Sequence, residues 1–393
     1  MIALALVVAR VLGHVFDKLQ QPPVIGEILA GILLGGATLV SGMTFFLGEW
    51  SWTVPSFSFQ SPEFTIFAQI GILFLLFLSG LETHLSTLRK TGKHSLLVAS
   101  GGVIVPFFFG FVAGLFLHYP LVESIVIGLI LTATSVGVTV RTLLDLHVLD
   151  SEVGATVLGG AVIDDIIGIL LFTVVLGTDP SVLVVVKIAV FFFVFLFLGL
   201  KIIDRVLDVG ERIHLPKAFL SISLAIFLLY AFFAEIAGIA GIIGAFVAGI
   251  LIGNTLKSRK IIDDVQALAY GFFVPLFFVW VGAKLWEGAP QTVESALQVL
   301  ILAVVIIVVA ILGKLIGCGV GAKLAGMGNR ASLQIGIAMM PRMELALIIA
   351  SQAIASKAIG TEFSHDILAA TVILTVFTTL LTPFLLKQVF KKR

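Results

Sequence analysis

Val24-Ile-Gly-Glu-Ile-Leu-Ala-Gly-Ile-Leu-Leu-Gly35 returns further along the chain as Ile242-Ile-Gly-Ala-Phe-Val-Ala-Gly-Ile-Leu-Ile-Gly253. Ile25, Gly26, Ala30, Gly31, Ile32, Leu33 and Gly35 recur as Ile243, Gly244, Ala248, Gly249, Ile250, Leu251 and Gly253. A fainter match pairs Phe77-Leu-Ser-Gly-Leu-Glu82 with Val279-Trp-Val-Gly-Ala-Lys284. Together they point to an internal repeat, although small residues that let helix backbones approach also produce this glycine spacing.

The surroundings are those of a membrane protein. Of 393 residues, 59% are hydrophobic and 12% charged, with a mean hydropathy of +1.19, whereas soluble domains carry about a quarter charged residues. A helical span takes ~20 apolar residues. Thirteen such stretches are read, near 1–17, 22–41, 62–82, 94–117, 121–141, 153–176, 181–203, 217–235, 239–255, 265–285, 294–322, 332–356 and 366–387. The first has no basic leader and no small-residue cleavage site, so it reads as a span and not as a signal peptide. An all-α membrane protein of 13 transmembrane helices is expected, with no separate soluble domain.

The basic residues sort by side. Eighteen of the 24 Lys and Arg fall on the connections that share a side with the C-terminus, and only Lys284 and Lys357 on the other. The positive-inside rule then puts the C-terminus in the cytoplasm and, with thirteen crossings, the N-terminus outside. The two copies of the repeat lie seven crossings apart and must run in opposite directions, an inverted repeat of the kind found in secondary transporters. Outer residues 42–61 carry no basic residue and near-alternate in Trp50-Ser-Trp52-Thr-Val54 and Phe57-Ser-Phe59. They read either as a small β-hairpin, at the membrane or a second subunit, or as an aromatic interface belt. A net charge of +1 gives no reason to expect nucleic acid, and the single Cys318 excludes an internal disulfide or a cysteine metal cluster. No phosphate loop or nucleotide fingerprint is present, and no cofactor is expected.

Ionisable groups at bilayer depth cost ~2.5–3.5 kcal/mol each, so those kept there are functional candidates. Asp164 and Asp165 sit mid-span in Ala161-Val-Ile-Asp-Asp-Ile-Ile-Gly168. Adjacent helical positions diverge by about 100°, so the two carboxylates should differ in role: one paired with a cation of the protein, the other facing a watery cavity. The alternative is a purely structural pair. Lys314, deep in Ala310-Ile-Leu-Gly-Lys-Leu-Ile-Gly317, is the obvious protein cation, with snorkelling or a structural ion pair as its other reading. Thr132-Ala-Thr-Ser-Val-Gly-Val-Thr139 and Ala338-Met-Met-Pro-Arg-Met-Glu-Leu345 are weak helical centres at matching places in the repeats. Two broken helices crossing there would bring partial charges that hydroxyls, Arg342 and Glu344 compensate, or that help bind an ion directly. Glu27 and Glu82 read as entrance-funnel residues or solvated end charges.

Gln21-Pro-Pro-Val-Ile-Gly-Glu, Phe74-Leu-Leu-Phe-Leu-Ser-Gly-Leu-Glu82, Ala133-Thr-Ser-Val-Gly137, Ala161-Val-Ile-Asp-Asp-Ile, Ile311-Leu-Gly-Lys314 and Met340-Pro-Arg-Met-Glu344 together resemble the cation:proton antiporter superfamily. Within it they are most similar to NapA-type bacterial Na+/H+ antiporters. The resemblance implies a NapA/NhaA-like antiporter fold with two crossed discontinuous helices, a homodimer, and exchange of cytoplasmic Na+ or Li+ for external H+ in a prokaryotic inner membrane. It implies a dimerisation domain near 1–60 and 217–285, an elevator-like core near 62–176 and 294–390, and a linker helix at 181–203. By the same carry-over Asp165 is the main ion and proton carrier, Asp164 the partner of Lys314, and Thr132, Thr134, Ser135, Arg342 and Glu344 support the broken helices. An Asp-Asp pair implies electrogenic exchange. Met343 stands where the family more often has glycine. K+/H+ exchange in the same fold and a sodium-coupled organic-anion symporter are the rival transporters. An intramembrane aspartyl protease would need its two aspartates on different helices.

Overall fold

The computed structural model describes residues 1–19, 21–37, 44–47, 50–53, 59, 61–83, 85–149, 151–176, 186, 190–213, 215–237, 241–255, 257–286, 293–356 and 359–391. Helices dominate: α1 (Ile2–Lys18), α2 (Pro23–Ala37), α3 (Pro62–Glu82), α4 (Leu85–Phe116), α5 (Leu121–Ile130), α6 (Val136–Asp145), α7 (Glu152–Leu176) and α8 (Phe197–Arg212). They continue with α9 (Ala218–Ile236), α10 (Gly241–Gly253), α11 (Arg259–Leu268), α12 (Val274–Lys284), α13 (Val293–Leu324), α14 (Asn329–Ala338), α15 (Glu344–Ala355) and α16 (Thr361–Phe390). Among the described residues, seven helices are long and apolar enough to cross a membrane, α11 and α12 counting as one through the π-helical turn Ala269–Phe273. Four shorter apolar helices accompany them.

The all-α expectation needs one correction. Thr44–Leu47 and Trp50–Thr53 pair as an antiparallel hairpin, Phe45 opposite Trp52. The alternation around Trp50 and Trp52 is therefore a strand signal. Val54 and Phe57 lie outside the described residues, while Phe59 is buried edge-on against Phe64, at 5.4 Å between ring centres.

Two stretches read as single spans are each two helices. The first breaks between α5 and α6 and the second between α14 and α15, as Thr132–Thr139 and Ala338–Leu345 led us to expect. Pro341 explains the second break, since it lacks a backbone donor and turns the preceding residue away from helix. Gly92 (φ 22°) bends α4, so its straight apolar part begins there.

The extensive helix contacts fall into two sets. One contains α1–α3 with α8–α12, the other α4–α7 with α13–α16. Helix α3 packs along α10 and α12. The reason is the repeated glycines. A Cβ on Gly80 would lie 2.2 Å from the carbonyl oxygen of Phe246, and one on Gly249 the same distance from that of Phe77. The matching pair behaves identically: a Cβ on Gly31 would stand 2.2 Å from the Val279 oxygen, and one on Gly282 2.2 Å from that of Ile28. The copies thus exchange partners, α2 crossing α12 as α10 crosses α3. In the other set, α4 and α13 cross at Gly101 and Gly317, where a Cβ on either would meet the other's carbonyl oxygen at 2.2 and 2.1 Å.

Such contacts leave no room for a side chain without parting the helices, and overpacking of this kind costs about 1–3 kcal/mol or more. Gly249→Val and Gly31→Val should each sharply reduce the yield of monodisperse protein in detergent chromatography. Gly271→Ala, on a helical turn with nothing within 4 Å of the added methyl, should behave as wild type.

Candidate functional site

The two helix breaks hold one another. The Ser135 amide donates to the Pro341 carbonyl oxygen at 2.8 Å, and the Thr139 hydroxyl to that of Ala338 at 2.6 Å. Thr132 turns its hydroxyl back onto the Leu129 carbonyl at 2.7 Å, closing the end of α5. On the other break, the Arg342 amide donates to the Thr378 hydroxyl at 3.1 Å, and the Thr379 hydroxyl to the Arg342 carbonyl at 3.4 Å. Backbone groups freed by unwinding in a low-dielectric interior must find such partners. Here the other break and the threonines of α16 provide them.

Thr134 reaches past the break and donates its hydroxyl to Asp164. The Lys314 ammonium donates to both oxygens of Asp164, at 3.0 and 2.9 Å, with both side chains fully enclosed. Lys314 therefore pairs and does not snorkel. The site depends on a residue that sequence reasoning missed. Gly102 on α4 faces the pair so closely that a Cβ there would lie 2.5 Å from Cys318 Sγ and 3.3 Å from Lys314 Nζ. A glycine opposite an intramembrane charge was the available signal.

Asp165 points elsewhere. It is half-buried where Asp164 is 1% exposed, and accepts a hydrogen bond from the Ser79 hydroxyl at 3.4 Å. The divergence of adjacent helical positions therefore separates the carboxylates as expected.

Arg342 is wholly buried beside the crossing, and its guanidinium nitrogens have no hydrogen-bond acceptor among the described residues. Glu344 heads α15; its side chain lies outside the described residues. Met343, the departure from glycine, has φ −150°, which is not the left-handed conformation that demands glycine. Glu27 is buried with Arg10 at 3.5 Å, and Glu82 is exposed beside Gln266 at 3.5 Å.

A family model described as the transmembrane sodium/hydrogen exchanger matches residues 2–392. The chain belongs to this family. It is 35% identical to the Na+/H+-K+ antiporter GerN of Bacillus cereus, over 99% of this chain and 95% of that protein. It is 34% identical to a Na+/H+ antiporter of Enterococcus hirae, over 100% and 97% of the two chains. The sodium proton antiporter MjNhaP1 of Methanocaldococcus jannaschii shares the fold, with a TM-score of 0.76, 17% identity, and coverage of 99% of this chain and 97% of that one. These relatives are transporters and not enzymes, and the chain is an integral membrane protein.

Removing one partner of a buried ion pair costs about 3–5 kcal/mol, whereas replacing both with neutral groups is far milder. Lys314→Met should therefore lower the thermal unfolding midpoint in detergent markedly. Adding Asp164→Asn to that variant should recover most of the loss.

Proposed function

We propose that this exchanger carries Na+ or Li+ out of the cytoplasm against inward H+, with both ions competing for Asp165. The observation that carries this reading is the separation of the aspartates: Lys314 holds Asp164 in a closed pair, while Asp165 stays half-buried. A carboxylate flanked by hydroxyl oxygens suits a hard alkali cation. One group serving two ions couples their gradients without covalent chemistry, provided access alternates.

The proposal extends to architecture. The chain crosses the membrane thirteen times in two inverted repeats, with the C-terminus in the cytoplasm of a prokaryotic cell. The exchanged glycine crossings and the paired breaks support the inverted repeat. The set α4–α7 with α13–α16 moves as an elevator core against the set containing α1–α3 and α9–α12, which forms a homodimer. The packing of α3 supports placing it on the static side. With two protons per Na+, one net charge moves per cycle, worth ~2.3 kcal/mol per 100 mV.

A second reading has a specific observation behind it: the relative GerN is an Na+/H+-K+ antiporter. K+/H+ exchange would use the same fold and the same carboxylate.

Purified protein in liposomes carrying an interior pH dye tests these readings. Adding Na+ or Li+ should move protons, choline should not, and Asp165→Asn should abolish the signal. A response to K+ alone would change the substrate and keep the mechanism. An Asp165→Asn variant with wild-type exchange would overturn the site.

A further inference from the structure

The hydrogen bond between Ser79 and Asp165 joins the two sets of helices. Asp165 belongs to α7, whereas Ser79 belongs to α3, one turn from its C-terminal end and packed against α10 and α12. Among the described residues few contacts cross between these sets, so a polar contact at the proposed carrier carboxylate is conspicuous.

Ser79 is held firmly. The next residue, Gly80, is the point at which α3 touches α10 backbone to backbone, a Cβ there lying 2.9 Å from Gly249 Cα. The hydroxyl is therefore carried by a segment with little freedom to shift. The repeat also shows that the crossing does not require a serine. In the matching copy, Val279-Trp-Val-Gly-Ala-Lys284, the position of Ser79 is taken by Val281, which is fully buried. An identical glycine crossing forms beside it. The oxygen occurs only in the copy that faces Asp165.

The spacing suits a shared ion. A hard cation of about the size of Ca2+ holds its oxygen ligands at about 2.3–2.6 Å, so two ligands at a right angle around it stand roughly 3.3–3.7 Å apart. Ser79 Oγ and Asp165 Oδ2 are 3.4 Å apart. A hydroxyl can turn its proton aside and present a lone pair, so the same two oxygens serve as a hydrogen bond when the cation is absent and as adjacent ligands when it is present.

We propose that Ser79 is an oxygen ligand of the transported cation, supplied by the static helices to complete the shell begun by Asp165. The inference rests on the antiport reading and adds a consequence to it. Because the ligand does not travel with the carboxylate, relative motion of the two sets strips one oxygen from the ion. Binding is then tighter in the conformation described here than after the movement, and the ligand lost favours release. A proton needs no such shell and is indifferent to the loss.

Half-saturating Na+ concentrations for proton flux in liposomes should be measured for the wild type, Ser79→Ala and Ser79→Thr. Ser79→Ala should raise the value about tenfold, the loss expected for one contact to a charge, and Ser79→Thr, which keeps the oxygen, should stay close to wild type. As a second reading that does not depend on turnover, stabilisation of detergent-solubilised protein by Na+ should weaken in Ser79→Ala and persist in Ser79→Thr. Unchanged half-saturation in Ser79→Ala would overturn the proposal, as would equal impairment of both variants, which marks a packing role. Wild-type protein that moves no protons with any alkali cation would instead refute the antiport reading itself.

Discussion

A carboxylate at bilayer depth with no access to water is tolerated only beside a compensating cation, and the ion pair of Asp164 and Lys314 meets that condition. Its demands spread through half the molecule. The ammonium reaches Asp164 because Gly101 and Gly317 bring α4 and α13 into backbone contact, and the absent side chain of Gly102 leaves the space that the pair fills. Thr134 is free to donate to the same carboxylate because α5 has already ended before it. The break in the helix and the buried pair thus depend on each other.

The breaks have their own requirement. Interrupting a helix inside a membrane leaves amides and carbonyls without partners, and irregular backbone survives there only when protein surrounds it. The Ser135 amide, the Pro341 and Ala338 carbonyls, and the Thr139, Thr378 and Thr379 hydroxyls meet that need locally. Among the described residues, the hydrogen bond from Ser79 to Asp165 links the two sets of helices, whose extensive contacts otherwise lie within each set. One is stitched by Gly31 with Gly282 and Gly80 with Gly249, the other by Gly101 with Gly317. Firm packing within each set is what the proposed sliding of one past the other would require, and Asp165 lies where they meet, beside Ser79.

Much of this was legible in the chain. The mid-span aspartates, the lysine eight residues from the end of its expected span, the hydroxyl-rich and proline-containing centres and the glycine repeat are local violations of what a lipid-facing helix should contain. Each violation has one dominant physical meaning in hydrocarbon, where charges and free backbone groups are expensive. The hairpin was only half legible, because an aromatic interface belt also produces such alternation and the pairing of Thr44–Leu47 with Trp50–Thr53 is what separates the two. Less legible were Gly102, Ser79, Thr378 and Thr379. Glycine, serine and threonine are ordinary in membrane helices, and only the identity of the neighbour across the gap turns them into parts of a site.

By itself the sequence determined that the chain lies in a membrane, which of its segments recur, and which charges are out of place, because these follow from composition and spacing along the chain. The geometry by which Lys314 meets both oxygens of Asp164, the helices that share α3, and the way the two breaks satisfy each other were decided by tertiary structure alone. Those outcomes depend on distances between residues far apart in the chain, set by where glycines let backbones touch, and periodicity along a single helix carries no record of the helix on the other side.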